Sequence, residues 1–258
     1  MTSKNTLIIG TRGSALALAQ ADMVRAALSA LHPGLDIRRE IIRTTGDRRT
    51  DVPLADVARV SGIVDKGIFI KELETALLEG RIDVAVHSLK DVPSELAPEF
   101  RLPAVLPRAV AEDVLIAKEP DWNGRGPLAT GSVRRRLMAR TYWGRQLRFE
   151  NLRGNVPTRL EKLVEHPEWD AVILAKAGLE RLGLYAPETV VQGRKLYMRP
   201  LPVEAFIPAV GQGIVGMECR ASDRKTKELL AGINDVETCA CGVAERTFLV
   251  RLGASCST

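Results

Sequence analysis

The run Ile82-Asp83-Val84-Ala85-Val86 reads as a buried strand, passes directly into His87-Ser88-Leu89-Lys90-Asp91 and is stopped by Val92-Pro93. Residues fit for a sheet interior are thus followed at once by an imidazole, a hydroxyl, an ammonium and a carboxylate. In open α/β sheets, loops at the carboxyl ends of strands present polar groups without disturbing the packed layer beneath. Asp91 is therefore the first candidate for chemistry, since a fixed carboxylate can hold a cation or assist a proton transfer. The plainer alternative is a solvated strand exit punctuated by Pro93.

The second chemical signal is arginine. The chain holds 27 arginines against 10 lysines at a net charge of +5. A guanidinium pairs carboxylates and phosphates through two parallel hydrogen bonds, where lysine offers a point charge. A polyanionic ligand is implied. Nucleic acid is disfavoured, because 5 Phe, 3 Trp and 3 Tyr leave little for base stacking and no recognition motif is present. Arg134, Arg135 and Arg136 occupy the first turn of a helix that Ser132 is placed to cap. Cations there oppose the helix dipole by about 0.3 to 1 kcal/mol each, so a bound anion is the natural compensation and a solvated basic patch the alternative. Arg153 and Arg159 repeat the arrangement around a helix start at Asn155. Arg12 and Ser14 lie in the turn Gly10-Thr11-Arg12-Gly13-Ser14, which is neither a dinucleotide fingerprint nor a P-loop. Arg181 follows a strand and can pair locally or reach a ligand.

The cysteines, Cys219, Cys239, Cys241 and Cys256, fall in the last fifth of the chain. That is not the distribution of a disulfide framework, and Cys239-Ala240-Cys241 with scattered histidines is not a metal site. Taken alone, Cys256 reads as an inert thiol. Neither a membrane-length apolar stretch nor a signal-peptide core is present, so the expected location is the cytoplasm.

The elements that must position these groups are periodic. Leu7 to Ile9 reads as a strand, Ala15 to Leu31 as a helix ending at His32-Pro33-Gly34, Ile37 to Ile42 as a strand, Gly67 to Leu78 as a helix, and 82–86 as the next strand. This β-α-β-α-β order predicts a mainly parallel sheet. The pattern restarts with a strand at Val114 to Ile116, a short strand near Leu128, a helix over 133–142, the run Leu147 to Phe149, a helix from Asn155 through Leu163, and a strand over 171–174. Phe206 to Gly213 reads as a crossover, Ile214 to Cys219 as a strand that could return to the first domain, and 236–252 as a helix. Two α/β domains joined by crossing segments enclose a cleft, where Arg12 and Ser14 would face the arginines of the other domain.

Taken together, Thr11-Arg12-Gly13-Ser14, Thr45-Gly46-Asp47, Lys66 to Glu74, His87 to Pro93, Gly131-Ser132-Val133-Arg134-Arg135, Leu152-Arg153-Gly154-Asn155, Ala209 to Gly213 and Ala244-Glu245-Arg246 resemble the porphobilinogen deaminase (hydroxymethylbilane synthase) family, over nearly the whole chain. The resemblance implies two periplasmic-binding-protein-like α/β domains with crossing hinge segments and a small α+β third domain, incomplete in this chain. It implies domain 1 over 1–105 and 209–228, domain 2 over 106–208, and the start of domain 3 over 229–258. It also implies a monomeric transferase of haem biosynthesis. Such an enzyme condenses four porphobilinogen molecules head to tail with release of ammonia and holds the growing pyrrole chain, without nucleic acid or membrane. Its primer is a dipyrromethane cofactor, whose attachment by a thioether matches Cys256. By the same resemblance Asp91 is the catalytic carboxylate, which stabilises the cationic azafulvene formed on deamination. Lys90, Thr130, Ser132, Arg134 and Arg135 bind the cofactor, and Arg12, Ser14, Arg153, Arg159 and Arg181 bind substrate carboxylates.

The chain departs from the family pattern at Gly13, Ala15, Gly131 and Pro157, and over 60–65, ahead of a segment expected to act as a lid. It also stops two residues after Cys256, short of a complete third domain. A non-catalytic organic-anion-binding protein, or a truncated inactive relative on the same two-domain fold, is the alternative; it would need the arginines but neither Asp91 nor Cys256.

Overall fold

A computed structural model of the chain describes residues 6–44 and 70–253. Thr45-Gly46-Asp47, Lys66, the expected lid and Cys256 lie outside the described residues.

The first sheet has the strand order β2-β1-β3-β11-β4, with β1 at Thr6–Thr11, β2 at Asp36–Ile41, β3 at Val84–Ser88, β4 at Phe100–Val105 and β11 at Val215–Arg220. Side chains alternate across a strand, so each face needs its own apolar cover. Helix α1 (Ala15–Leu31) supplies Ala21, Val24 and Leu28 against Leu7, Ile9, Val84, Val86 and Met217. Helix α2 (Lys71–Leu78) supplies Leu73, Ala76 and Leu77 to the opposite face, against Ile82, Ala85 and Phe100. The expected parallel pairing holds for β1 with β2 and β3. The sheet as a whole is mixed, because β11 returns from the second sheet and inserts antiparallel between β3 and β4.

The second sheet runs β7-β6-β8-β5-β10-β9, with β5 at Asp113–Ala117, β6 at Leu128–Ala129, β7 at Phe149–Glu150, β8 at Ala171–Ala175, β9 at Glu188–Val191 and β10 at Arg194–Pro200. Helices α3 (Val133–Trp143), α4 (Val156–Glu165) and α5 (Lys176–Arg181) follow β6, β7 and β8, and β6 is parallel to both β7 and β8. Their helix starts consequently gather at one sheet edge. Sequence periodicity did not place β4, β9 or β10. The β9–β10 hairpin turns at Gln192 and Gly193, both with positive φ (48° and 79°). Gln is an uncommon occupant of such a turn, so the usual Asn-Gly signal is missing.

Two segments cross between the sheets, one over 106–112 and one over 201–214. They are bonded to each other by Ala109 N–H to the Gly213 carbonyl (3.1 Å), and Leu106 N–H donates to the Val215 carbonyl (3.0 Å). Gly213 has φ +87°, and a Cβ there would come within 2.5 Å of the Ala109 oxygen, so the close crossing requires glycine. The chain then forms α6 (Arg224–Ala231) and α7 (Val236–Arg251), capped by Asp223 and Asp235. Helix α7 lies against the first sheet and the crossing: Asp235 N–H donates to the Val105 carbonyl, and Arg108 N–H donates to Thr238 Oγ1.

Candidate active site

The parallel pairing of β1 and β3, with Gly10 opposite Ala85, brings the turn after β1 and the turn after β3 side by side. The second turn is a single 3-10 turn, Leu89–Asp91, closed by Val92 N–H to the Leu89 carbonyl at 3.1 Å. A shallow pocket between the two turns is lined by Arg12, Ser14, Gln20, His87, Ser88 and Asp91. Ser14 also caps α1, accepting from Ala17 N–H at 3.3 Å. Gln20, buried on α1, lies 2.8 Å from the Ser88 hydroxyl and latches the end of β3. Asp91 and Lys90 are half-buried at the rim. Beneath them His87 Nε2 is 2.9 Å from Glu218 Oε2, both side chains buried. Glu74 of α2 is held above the usual carboxyl range by burial and by Glu218, with His87 opposing.

The second sheet contributes the other wall. Ser132 caps α3, accepting from Arg135 N–H (3.3 Å), and Thr130 Oγ1 accepts from Ser132 N–H (3.2 Å). Asn155 caps α4 through Thr158 N–H (3.0 Å). Arg159 Nε donates to the Gly154 carbonyl (2.6 Å), and Lys162 Nζ donates to the Arg153 carbonyl (3.2 Å). Burial pulls the Arg159 guanidinium down to about 10; Arg135 and Arg153 push the same way, and Asp91 opposes. Asp91 therefore lies close enough to act electrostatically on Arg159 of the other sheet. The walls also touch, with Leu16 of α1 against Gly178 of α5. Arg181, at the end of α5, donates through Nη2 to the Gly213 carbonyl (2.7 Å), while its buried Nε has no partner among the described residues. Burial lowers its pKa, against Glu180.

The anion demanded by the arginine run of α3 is, in part, internal. Asp113, the first residue of β5, accepts from Arg135 Nη2 (2.7 Å) and Nε (3.2 Å), from Arg134 Nη2 (2.6 Å) and from Gln212 Nε2 (3.1 Å). Arg135 reaches the Ile173 carbonyl as well (2.9 Å), Arg134 donates to the Ile207 carbonyl, and Arg136 Nε turns back to the Thr130 carbonyl (3.1 Å). Sequence reasoning missed Asp113, Gln20, Gln212 and Glu218. Gln212 stood within a noted motif, but nothing local marks a partner 99 residues away.

Residues 7–228 match the family model "Porphobilinogen deaminase, dipyromethane cofactor binding domain". The chain belongs to the porphobilinogen deaminase family. The porphobilinogen deaminase of Syntrophotalea carbinolica is 43% identical over 259 residues, which cover 98% of this chain and 76% of that one. The porphobilinogen deaminase of Roseiflexus sp. RS-1 is 44% identical over 257 residues, covering 98% and 79%. Among solved structures, the periplasmic VFT2 domain of Bordetella pertussis BvgS aligns with a TM-score of 0.50 at 13% identity, covering 96% of this chain and 93% of that domain. That likeness speaks to the fold alone.

Proposed function

We propose that Asp91 and the arginines on both walls of the cleft carry out the porphobilinogen deaminase reaction, the head-to-tail condensation of four porphobilinogen molecules with release of ammonia. The chemistry of the site suits the substrate. Each pyrrole unit carries an acetate and a propionate, and a charge-assisted hydrogen bond to arginine contributes roughly 1.5 to 3 kcal/mol. Arg12 and Ser14 approach from the first sheet, and Arg153, Arg159 and Arg181 from the second. The observation that carries the reading is the crowding of Arg135, Arg153 and Arg159 opposite Asp91, with Arg159 held down to about 10. A buried guanidinium beside two others, facing a carboxylate from the other sheet, suits a ligand with several carboxylates. The buried Arg181 Nε, which has no partner among the described residues, points to the same need.

These groups fit a dipyrromethane, which supplies, when attached through Cys256, the pyrrole end onto which units are added. Lys90, Thr130, Ser132, Arg134 and Arg135 would hold it. Arg134 and Arg135 already pair with Asp113, so their part is to carry the positive field of the helix start, with donors shared between Asp113 and the ligand. Asp91 accepts pyrrole N–H hydrogen bonds, stabilises cationic charge that develops as ammonia leaves, and takes up or returns a proton at its carboxylate. We assign residues 1–105 and 209–228 to the first domain, 106–208 to the second and 229–258 to the start of a third. We assign the enzyme to the cytoplasm as a monomer; among the described residues no helix is long and apolar enough to cross a membrane.

Turnover of porphobilinogen tests the assignment. Asp91→Asn keeps shape and removes charge, and is expected to lower kcat by about 10² or more, the scale for losing an acid–base or electrostatic group, with thermal unfolding unchanged. Retention of most of the turnover would remove Asp91 from the chemistry.

A further inference from the structure

Arg246 is part of a noted motif, Ala244-Glu245-Arg246, to which the proposed reaction assigns no task. It sits on α7, outside both sheets, yet its guanidinium reaches the chain directly after Asp91. Nη2 donates to the Pro93 carbonyl at 2.6 Å and to the Ser94 carbonyl at 2.9 Å, and Nη1 lies 3.4 Å from the Val92 carbonyl. Residues 92–94 belong to no helix or strand, so their carbonyls have no ladder to satisfy them, and a planar fork of donors is suited to collecting several at once.

The rest of the Asp91 turn is held from its entry side. Gln20 latches Ser88, and Leu89 N–H donates to the Ile214 carbonyl at 2.9 Å. Arg246 holds the exit side. The neighbouring Glu245 fixes α7 to the crossing segments, accepting from Gly211 N–H at 2.8 Å and pairing with Arg108. The helix is thereby anchored independently of the turn that Arg246 grips.

We propose that Arg246 is a positioning residue: by clamping the carbonyls of 92–94 it sets the direction of the Asp91 carboxylate in the cleft. This rests on the role assigned to Asp91 above. Misplacing a reacting group by about 1 Å can cost about 10²-fold in rate, so an exit clamp has ample leverage on kcat.

The test compares the full chain with Arg246→Met, Arg246→Lys and Asp91→Asn, measuring steady-state porphobilinogen turnover and amide hydrogen exchange without substrate. For Arg246→Met the expected result is a kcat lowered between about 10- and 100-fold and a KM within about twofold of the parent. Exchange should be faster in the peptide spanning 89–94 and unchanged in β1 and β3. Arg246→Lys should recover part of kcat. Parent-like kcat and exchange in Arg246→Met would overturn the proposal, as would faster exchange throughout the first sheet, which marks a merely structural residue. If Asp91→Asn itself keeps turnover, the reading of Asp91 has failed, and the exchange of 89–94 still decides whether Arg246 clamps the turn.

Discussion

Burying a carboxylate is unfavourable by several kcal/mol unless cations and donors surround it. Asp113 has no exposed surface and is surrounded by two guanidiniums and the Gln212 amide. Burial pushes its pKa up, but Arg135 and Arg134 together more than cancel this and hold it near 2, against 3.8 for a free group. Because the folded value is the lower one, its charge stabilises the fold above pH 4. That contribution, about 2 kcal/mol by linkage, is lost as pH falls from about 4 to about 2. Urea unfolding of the parent and of Asp113→Asn over that range should show a parent-specific loss of midpoint. Parallel curves for the two proteins would refute it. At this scale the sequence exposed the problem and hid the answer: three arginines at a helix start called for an anion, while the carboxylate that meets two of them stands 21 and 22 residues earlier. Arg159, at the next helix start, turns its Nε to the Gly154 carbonyl instead.

The elements that were legible are those specified locally. Ser132 and Asn155 cap α3 and α4 as expected, because a cap needs only its own side chain and an N–H three residues on. Strands β9 and β10 were not legible, since an edge hairpin with an unusual turn residue carries little periodic signal. The crossing at Gly213 is set by contact instead. A side chain there meets both a positive φ and the Ala109 oxygen. Gly213→Ala is expected to destabilise the fold by at least about 1 to 3 kcal/mol, the scale of enforced backbone strain, seen as a lower denaturation midpoint. An unchanged midpoint would mean that the crossing can relax. Gly211→Ala should behave similarly, because its Cβ would press on Leu89 at 3.0 Å, immediately beside the Asp91 turn.

Across the whole molecule, two sheets are joined by two crossings, and the proposed ligand would lie between them. A covalent primer tied at Cys256 would present the growing chain to both walls. Intact mass of the untreated protein should exceed the chain mass by two linked pyrrole units, and Cys256→Ser should lack that excess. The same excess in the variant would move the attachment site elsewhere. By itself the sequence determined most of the elements before the crossings, the caps Ser132 and Asn155, the arginine excess and, through its motifs, the resemblance to the deaminase family, because each is written in neighbouring residues or in composition. Only the tertiary structure decided that β11 divides β3 from β4, that Asp113 answers the arginines of α3, that Glu218 meets His87, and that Arg246 grips the exit from Asp91. Those pairings join residues 21 to 154 positions apart, and such long-range contacts are fixed by how whole sheets and helices pack.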